Sequence, residues 1–395
     1  MRIIYTQQAI PNQINKSIFL AGPSLRPGQD GISWRINALE ILRVLEYDGV
    51  VFVPESEDGS FDDNFNWKTQ VMWESKCLRM SDNILFHINR NIESGLLGLT
   101  TNDEWGFWKD SGKCVLSIES GADKTDYQEW WAKELKVPTF NDLFSALRHI
   151  IKIQQDAPRV DGERMIPQEI WLLDQFQSWY KQLKANGNWI SDARVLNTYR
   201  IPSNNKIFAF SLWVNVFIRN ENRYKNNEFI FSRPDISSCV MYYPNNNLMD
   251  TEIVLVSEFR SPVNNTKGLV YEIPGGSSVK PGEDPMAVVI EELKEETGIG
   301  GMNLARLEYI SARQLAATIL THKCHLYGYT MSDAEYINVK NNVGKIFGNE
   351  ADTERTELHI FTLQEIIDND YIDWSNLGMV MNVLNTTTIK NSPNV

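Results

Sequence analysis

The chain has 395 residues, 42% of them hydrophobic, and a formal net charge of -13, a length and apolar content that suit two ordinary domains, each with its own core. The acidic balance, with no stretch that gathers Lys and Arg onto one face, argues against nucleic acid as a partner. The four cysteines at 77, 114, 239 and 324 include no Cys-x-x-Cys pair, so neither a disulfide framework nor a structural zinc site is indicated, and a reduced, cytoplasmic protein is expected.

The opening MRIIYTQQAIPNQ lacks a signal-peptide core, and no apolar run approaches the length of a membrane span, so no membrane partner is expected. From there strand-like and helix-like segments alternate: SIFLAG, SWRINALEILRVLEY, VVFVPE, WKTQVMWESKCLRM, NILFHI, DEWGFWKD and KCVLSI. Strands separated by helical patterns give βαβ units and a parallel sheet, a flavodoxin-like or Rossmann-like α/β domain. FNDLFSALRHIIKI closes it as an amphipathic helix, placing this domain at residues 1–152.

FLAGPSLRPG puts Gly22 and Pro23 directly after a strand, at the carboxyl edge where open α/β sheets bind ligands. Asp82 opens SDNILFHI, and Glu104 stands beside Trp105 and Gly106 in TTNDEWG. On residue type alone Asp82 is equally a turn residue or cap, and Glu104 an acid favoured by the dipole of a helix start. Together, IFLAGP, SDNILF, TTNDEWG and GKCVL resemble the nucleoside 2-deoxyribosyltransferase family over roughly residues 16–150. The resemblance implies that Glu104 attacks the anomeric carbon of the sugar and releases the base, leaving a glycosyl ester that a second base or water resolves. It also implies that Asp82 positions the substrate and supplies a proton to the leaving base; Gly22 and Pro23, from their place at the ligand edge, are taken as substrate contacts. Trp105, next to the nucleophile, is a candidate for base stacking. Glu74, on the helix before Asp82, is a candidate for a sugar-hydroxyl contact and equally a surface acid, and is read as the latter.

QQDAPRVDGERMI, residues 154–166, has no periodicity and reads as linker. PQEIWLLDQFQSWYKQLKANG reads as one helix with Pro at its start and Gly at its end, so linker and connecting helix take residues 153–190. Strand patterns follow, KIFAFSLWVNVFIR, ISSCVMYY, EIVLVSEFR and LVYEI, and give an α+β domain at residues 191–395. THKCH holds His322, Cys324 and His325, but alternation along a strand turns the first two away from the third.

PGGSSVKPGEDPMAVVIEELKEETGI joins a glycine turn to a helix with glutamates at 291, 292, 295 and 296. Asp284 can cap that helix, Pro285 fits its first position and Gly298 can end it. Glu292, Glu295 and Glu296 share a face and repel one another unless a cation sits there, and carboxylates suit Mg²⁺ or Mn²⁺. A solvated acidic face is the plainer reading. The segment resembles the Nudix box with two departures: six residues instead of five separate Gly276 from Glu283, and Glu291 stands where the box has arginine. That resemblance implies a Nudix fold, metal held by Glu292, Glu295 and Glu296, and Glu292 among the catalytic groups.

EIVLVSEFRSPVNNTKGLVYEIPGG looks like the ADP-ribose pyrophosphatase branch of that superfamily. This implies that Arg260, otherwise an exposed ion-pair residue, neutralises a substrate phosphate. Glu350 and Glu354 lie in the polar stretch from which the branch recruits a general base, and Glu350 is taken for that role. The expected protein is therefore a two-domain enzyme of nucleotide metabolism that cleaves or exchanges an N-glycosidic bond and hydrolyses a nucleoside diphosphate linked to another group. Its partners are small nucleosides or nucleotides, with a homodimer left open. The rival is a nucleotide-binding sensor with a degenerate Nudix site, which Glu291 favours.

Overall fold

The computed structural model describes residues 1–25, 29, 31–57, 66–278, 280, 282–299, 301–348 and 355–391, with side chains described as far as 386. The chain folds as two compact units, Met1–Ile230 and Phe231–Val395.

The first unit opens with β1 (Arg2–Tyr5), β2 (Gln13–Ile14), β3 (Ser17–Ala21), α1 (Trp34–Val44), β4 (Val50–Val53), α2 (Trp67–Met80), β5 (Asn83–Ile88), α3 (Leu99–Trp108), β6 (Cys114–Ile118), α4 (Asp126–Glu134), β7 (Thr139–Phe140) and α5 (Leu143–Ile153). Six of these strands form one sheet in the order β1-β4-β3-β5-β6-β7, parallel throughout. Strands buried on both faces read as near-continuous apolar runs, and β3, β4 and β5 are buried along their whole length, with Ser17, Asn83 and His87 as the polar exceptions. Alternation sends Phe19, Phe52 and Phe86 to the face covered by α2, α3 and α4. Ile18, Leu20, Val51 and Leu85 go to the face covered by α1 and α5. The parallel α/β fold expected here is what forms, with β1 as an additional edge strand.

β8 (Arg159–Val160), α6 (Gln168–Trp171), α7 (Asp174–Ala185), β9 (Trp189–Arg200), β10 (Ile207–Ile218) and β11 (Arg223–Ser232) follow. Residues 154–166 are not a free linker. β8 pairs with β2, and the Arg159 side chain is fully buried. The single helix expected after Pro167 is two, α6 and α7, broken at Leu172 and the extended Leu173 so that Ile170 and Phe176 both reach the core. β9, β10 and β11 make a second sheet in the order β11-β10-β9, with β9 and β10 antiparallel, whose Ile190, Phe210, Leu212 and Val214 pack into the same core as α2 and α3. For that reason the expected boundary at 191 falls inside the first unit.

The second unit contains β12 (Ile236–Tyr243), β13 (Glu252–Phe259), β14 (Leu269–Glu272), β15 (Gly275–Gly276), α8 (Pro285–Thr297), β16 (Leu307–Arg313), β17 (Cys324–Thr330), α9 (Asp333–Lys340), β18 (Ile346–Phe347), β19 (Thr356–Thr362), α10 (Leu363–Asp368) and α11 (Trp374–Asn391). Its sheet runs β16-β17-β12-β13-β19-β18, with β14 on β13 and β15 on β12. β12 and β17 are parallel while β13 and β19 are antiparallel, so the sheet is mixed. One face packs Met241, Val254 and Val256 on Val289 and Leu293 of α8; the other packs Val240, Ile253 and Leu255 on Val380, Val383 and Leu384 of α11.

Candidate active site

At the carboxyl edge of the parallel sheet, the chain leaves β3 through Gly22 and Pro23, as expected. A Cβ on Gly22 would overlap the His87 carbonyl oxygen and lie 2.8 Å from the Trp34 ring, so only glycine lets the three segments meet. The Trp34 indole N–H donates to the Pro23 carbonyl at 3.0 Å. Arg35, 2% exposed, ties the ends of β3 and β4 together. It donates to the carbonyls of Leu20 (2.9 Å) and Gly22 (2.7 Å), to Ser24 Oγ (2.9 Å) and to Glu55 Oε1 (2.5 Å). The Ser33 hydroxyl donates to the other Glu55 oxygen. Each charge of this buried pair is thereby hydrogen-bonded as well as paired, which the low dielectric of the site requires.

Glu104 is the sixth residue of α3, not its first turn, so the helix dipole does not account for it. Its carboxyl is pushed up to about 8, first by burial and then by the charge of Glu74, against the pull of Arg35. Glu74, expected on the surface, is half-buried, and its own carboxyl is raised by burial, with the hydrogen bond from Gln70 opposing. Gln70 and Glu74 lie one turn apart on α2. The Gln70 amide donates to Glu74 Oε1 at 2.6 Å and reaches the carbonyl of Pro54, just past β4, at 3.5 Å. That anchors Glu74 on the side of α2 that faces the carboxyl edge. The signal was available as the i, i+4 spacing of Gln70 and Glu74, but surface and site faces of an amphipathic helix carry the same residue types.

Asp82 belongs to the other end of the sheet. It precedes β5, a strand of six residues and so about 20 Å long at ~3.3 Å per residue. Its oxygens accept from Arg159 Nη1 (2.7 Å) and Nη2 (2.8 Å), Ser17 Oγ (3.0 Å) and the Gln168 backbone N–H (2.9 Å). A carboxylate held by four donors at the amino edge has no access to Glu104, so the catalytic role expected for it is corrected to a structural one. Trp105 is corrected as well. Successive helix residues point about 100° apart, so with Glu104 turned toward α2, Trp105 faces the sheet. It is 1% exposed, edge-on to Phe86 at 5.3 Å, and not placed to stack on a substrate.

Two further groups at this edge escaped the sequence reading. His87, at the end of β5, approaches Ser117 Oγ at 3.1 Å and packs on Trp34 at 4.7 Å. Burial, then Arg35, holds its imidazole down to about 4, so it is neutral near pH 7. Asn89, just beyond β5, has a buried Oδ1 without a partner. A buried amide oxygen left unpaired at a ligand edge is an acceptor or, with the amide turned, a donor awaiting one.

In the second unit α8 begins and ends as expected: Asp284 Oδ1 accepts the Met286 N–H at 3.1 Å, and Gly298 closes the helix at φ 67°. Glu296 is buried and accepts the Gly275 N–H at 2.8 Å. Glu292 lies against Gly276, where a Cβ would overlap its carboxylate. Glu295 is half-buried and Glu291 exposed. Arg233 donates to Ser277 Oγ at 2.5 Å; burial foremost, then Arg260, lowers its guanidinium, with Glu292 and Glu272 opposing. Arg260, half exposed, sits 2.7 Å from Glu258 and 3.6 Å from Glu272, the ion-pair arrangement that residue type alone allowed. Glu350 and Glu354 lie outside the described residues. Among the described residues no group of three or more His, Cys, Asp or Glu is placed to hold a metal ion. Glu296 accepts the backbone N–H through one oxygen, and the charge of Glu292 acts on Arg233. His322, Cys324 and His325 go separate ways: His322 Nδ1 is buried without a partner, Cys324 meets Met379 and His325 meets Asp235.

The family model described as nucleoside 2-deoxyribosyltransferase like matches residues 15–122, from just before β3 to the turn after β6 and well under half of the chain. That stretch holds Gly22, Arg35, Glu55, Glu74, His87 and Glu104. Comparison with curated proteins gives no match. No helix among the described residues is long and apolar enough to cross a membrane. Residues 15–122 are thus a nucleoside 2-deoxyribosyltransferase-like domain.

Proposed function

We propose that the first unit breaks the N-glycosidic bond of a nucleoside or nucleotide, with Glu104 as nucleophile and Glu74 as the acid beside it. The observation that carries this is the placing of two half-buried carboxyls at the ligand edge of the sheet, where burial raises both and the charge of Glu74 raises Glu104 further. Two such groups ionise reluctantly together, so the pair keeps one proton at neutral pH. In the reactive state Glu104 is the carboxylate. Its oxygen bonds to the anomeric carbon as the bond to the base nitrogen breaks, and the proton held by Glu74 goes to the departing base. A second base or water then opens the glycosyl ester, returning the proton to the pair. Arg35 supplies the positive field that keeps Glu104 ionisable. The test is incubation of the full chain with a panel of nucleosides, nucleotides and dinucleotides, with mass analysis of the products: free base is expected from at least one, and none from the Glu104→Ala variant.

A second reading concerns the other unit. We infer that it recognises a nucleoside diphosphate through Arg233 and does not hydrolyse it; support comes from Glu291 at the arginine position and from the bond that commits Glu296 to Gly275. Titrating ADP-ribose with Mg²⁺ or Mn²⁺ decides between this and the hydrolase. Binding with no AMP formed is expected, whereas AMP release at millimolar-range metal that Glu295→Gln and Glu296→Gln abolish would establish the metal-dependent Nudix activity instead.

A further inference from the structure

One helical turn beyond Glu104 on α3, Trp108 lines a cavity of about 240 Å³. It lies at the amino edge of the parallel sheet, among the ends of α2 and α3, the start of β6, α6 and β9. None of Gly22, Arg35, Glu55, Glu74 or Glu104 belongs to its wall, so it is separate from the carboxyl-edge site.

The wall is aromatic on one side. Trp108 and Phe107 have ring centroids 5.0 Å apart at 70°, and Phe107 is 73% exposed at the mouth. Charge is unevenly matched on the other side. Lys113 Nζ is fully used, donating to the carbonyls of Leu78 (2.7 Å), Arg79 (3.1 Å) and Ser81 (3.0 Å). Arg200 holds Glu169 through two bonds of 2.7 and 2.8 Å, which neutralises that pair. Arg79 and Arg194 remain against Asp110, a surplus of positive charge. The Arg200 Nε–H is buried in the same wall with no acceptor, and a buried donor left unpaired is costly until an acceptor arrives.

We propose that this cavity is a second, regulatory ligand site that takes a nucleoside monophosphate. The base stacks on the exposed Phe107 ring, since every base offers a π-face, while Trp108, which stands at 70° to Phe107 and has Lys113 Nζ 4.6 Å from its ring, closes the wall beside it. Arg194 and Arg79 take the phosphate, which suits planar guanidinium groups, and one ligand oxygen accepts the Arg200 Nε–H. The volume is below the roughly 300–1,000 Å³ of pockets that enclose larger ligands, so a mononucleotide fits with one end at the mouth and a dinucleotide does not. Arg79 lies five residues after Glu74 on α2, and Trp108 four after Glu104 on α3. Occupancy therefore loads the far ends of both acid-bearing helices. Only this coupling rests on the glycosidic-bond reading; the binding does not.

The test is calorimetric titration of AMP into the full chain and into Arg194→Glu, Phe107→Ala and Glu104→Gln variants. Arg194 and Phe107 are exposed, so these proteins should fold. AMP affinity should fall roughly tenfold or more in Arg194→Glu, fall several-fold in Phe107→Ala, and persist in Glu104→Gln, with adenosine and inorganic phosphate each binding far more weakly than AMP. No binding at millimolar AMP, or binding that Glu104→Gln abolishes and Arg194→Glu leaves intact, would overturn the proposal. Saturating AMP should also change the rate of base release in the wild type and not in Arg194→Glu. An unchanged wild-type rate would refute the coupling. If no nucleoside is cleaved at all, the glycosidic reading fails while the AMP titration still tests the cavity.

Discussion

Asp82 and Arg159 form a two-pronged ion pair at 2.7 and 2.8 Å, buried from solvent, that pins β8 beneath the amino end of β5. Asp82→Asn leaves the buried guanidinium uncompensated, which typically costs about 3–5 kcal/mol. Urea unfolding should show that loss, and the protein that remains folded should still release base. Unchanged stability with base release abolished would instead put Asp82 into the chemistry.

Glu104 makes the first unit sensitive to pH. Its carboxyl is raised from 4.5 to about 8, so the native state holds a proton there that the unfolded chain has released. The stability tied to that proton is fully present below 4.5 and is lost as pH rises through about 8. Glu104→Gln should match the wild type in thermal unfolding at acidic pH and exceed it in mildly alkaline solution. Because the departing base takes the one proton that the pair holds near neutrality, kcat/KM for base release should fall as pH rises through about 8 and that proton is lost. Glu74→Gln removes a repelling neighbour and should move that midpoint downward. A profile indifferent to Glu74 would separate the two acids.

Gly22→Ala adds a methyl group where the His87 carbonyl and the Trp34 ring are already in contact. Such overpacking costs about 1–3 kcal/mol, and it displaces the turn that orders Arg35. Both the unfolding midpoint and kcat/KM should fall. If activity survives at full stability, the approach at Gly22 is looser than its neighbours indicate.

In the second unit, Glu296→Ala removes the acceptor for the Gly275 N–H and should cost roughly 1–3 kcal/mol, the penalty of a buried donor left unpaired. Glu291→Arg changes an exposed residue and should shift stability by less than about 0.5 kcal/mol. Thermal unfolding of both variants checks the contrast. A large effect of Glu291→Arg would mean that its charge acts on the glutamate helix directly.

The strands of the parallel sheet could be read from the sequence because burial on both faces writes a near-continuous apolar run, as in NILFHI, which is β5 residue for residue and is broken only by Asn83 and His87. Helix α8 was readable through Asp284, Pro285 and Gly298, whose roles are local. What could not be read depends on contacts distant in sequence. Asp82 is separated by 77 residues from the Arg159 that occupies it, and residues 154–166 have no periodicity although Arg159 buries itself there. The Glu74 and Glu104 pairing has the same origin: each acid is legible as part of a helix, but which acids face each other follows from the strand order. Trp105 was misjudged because adjacency in sequence is not adjacency on a helix surface.

The nucleophilic role of Glu104 is tested most directly by trapping. A 2-fluoro sugar nucleoside slows the formation and breakdown of oxocarbenium-like transition states, so the glycosyl ester should accumulate. Peptide mass analysis of the full chain after incubation should find the fluorosugar on Glu104, and no adduct in Glu104→Ala. An ester on another residue, or base release that continues in the Ala variant, would contradict the account.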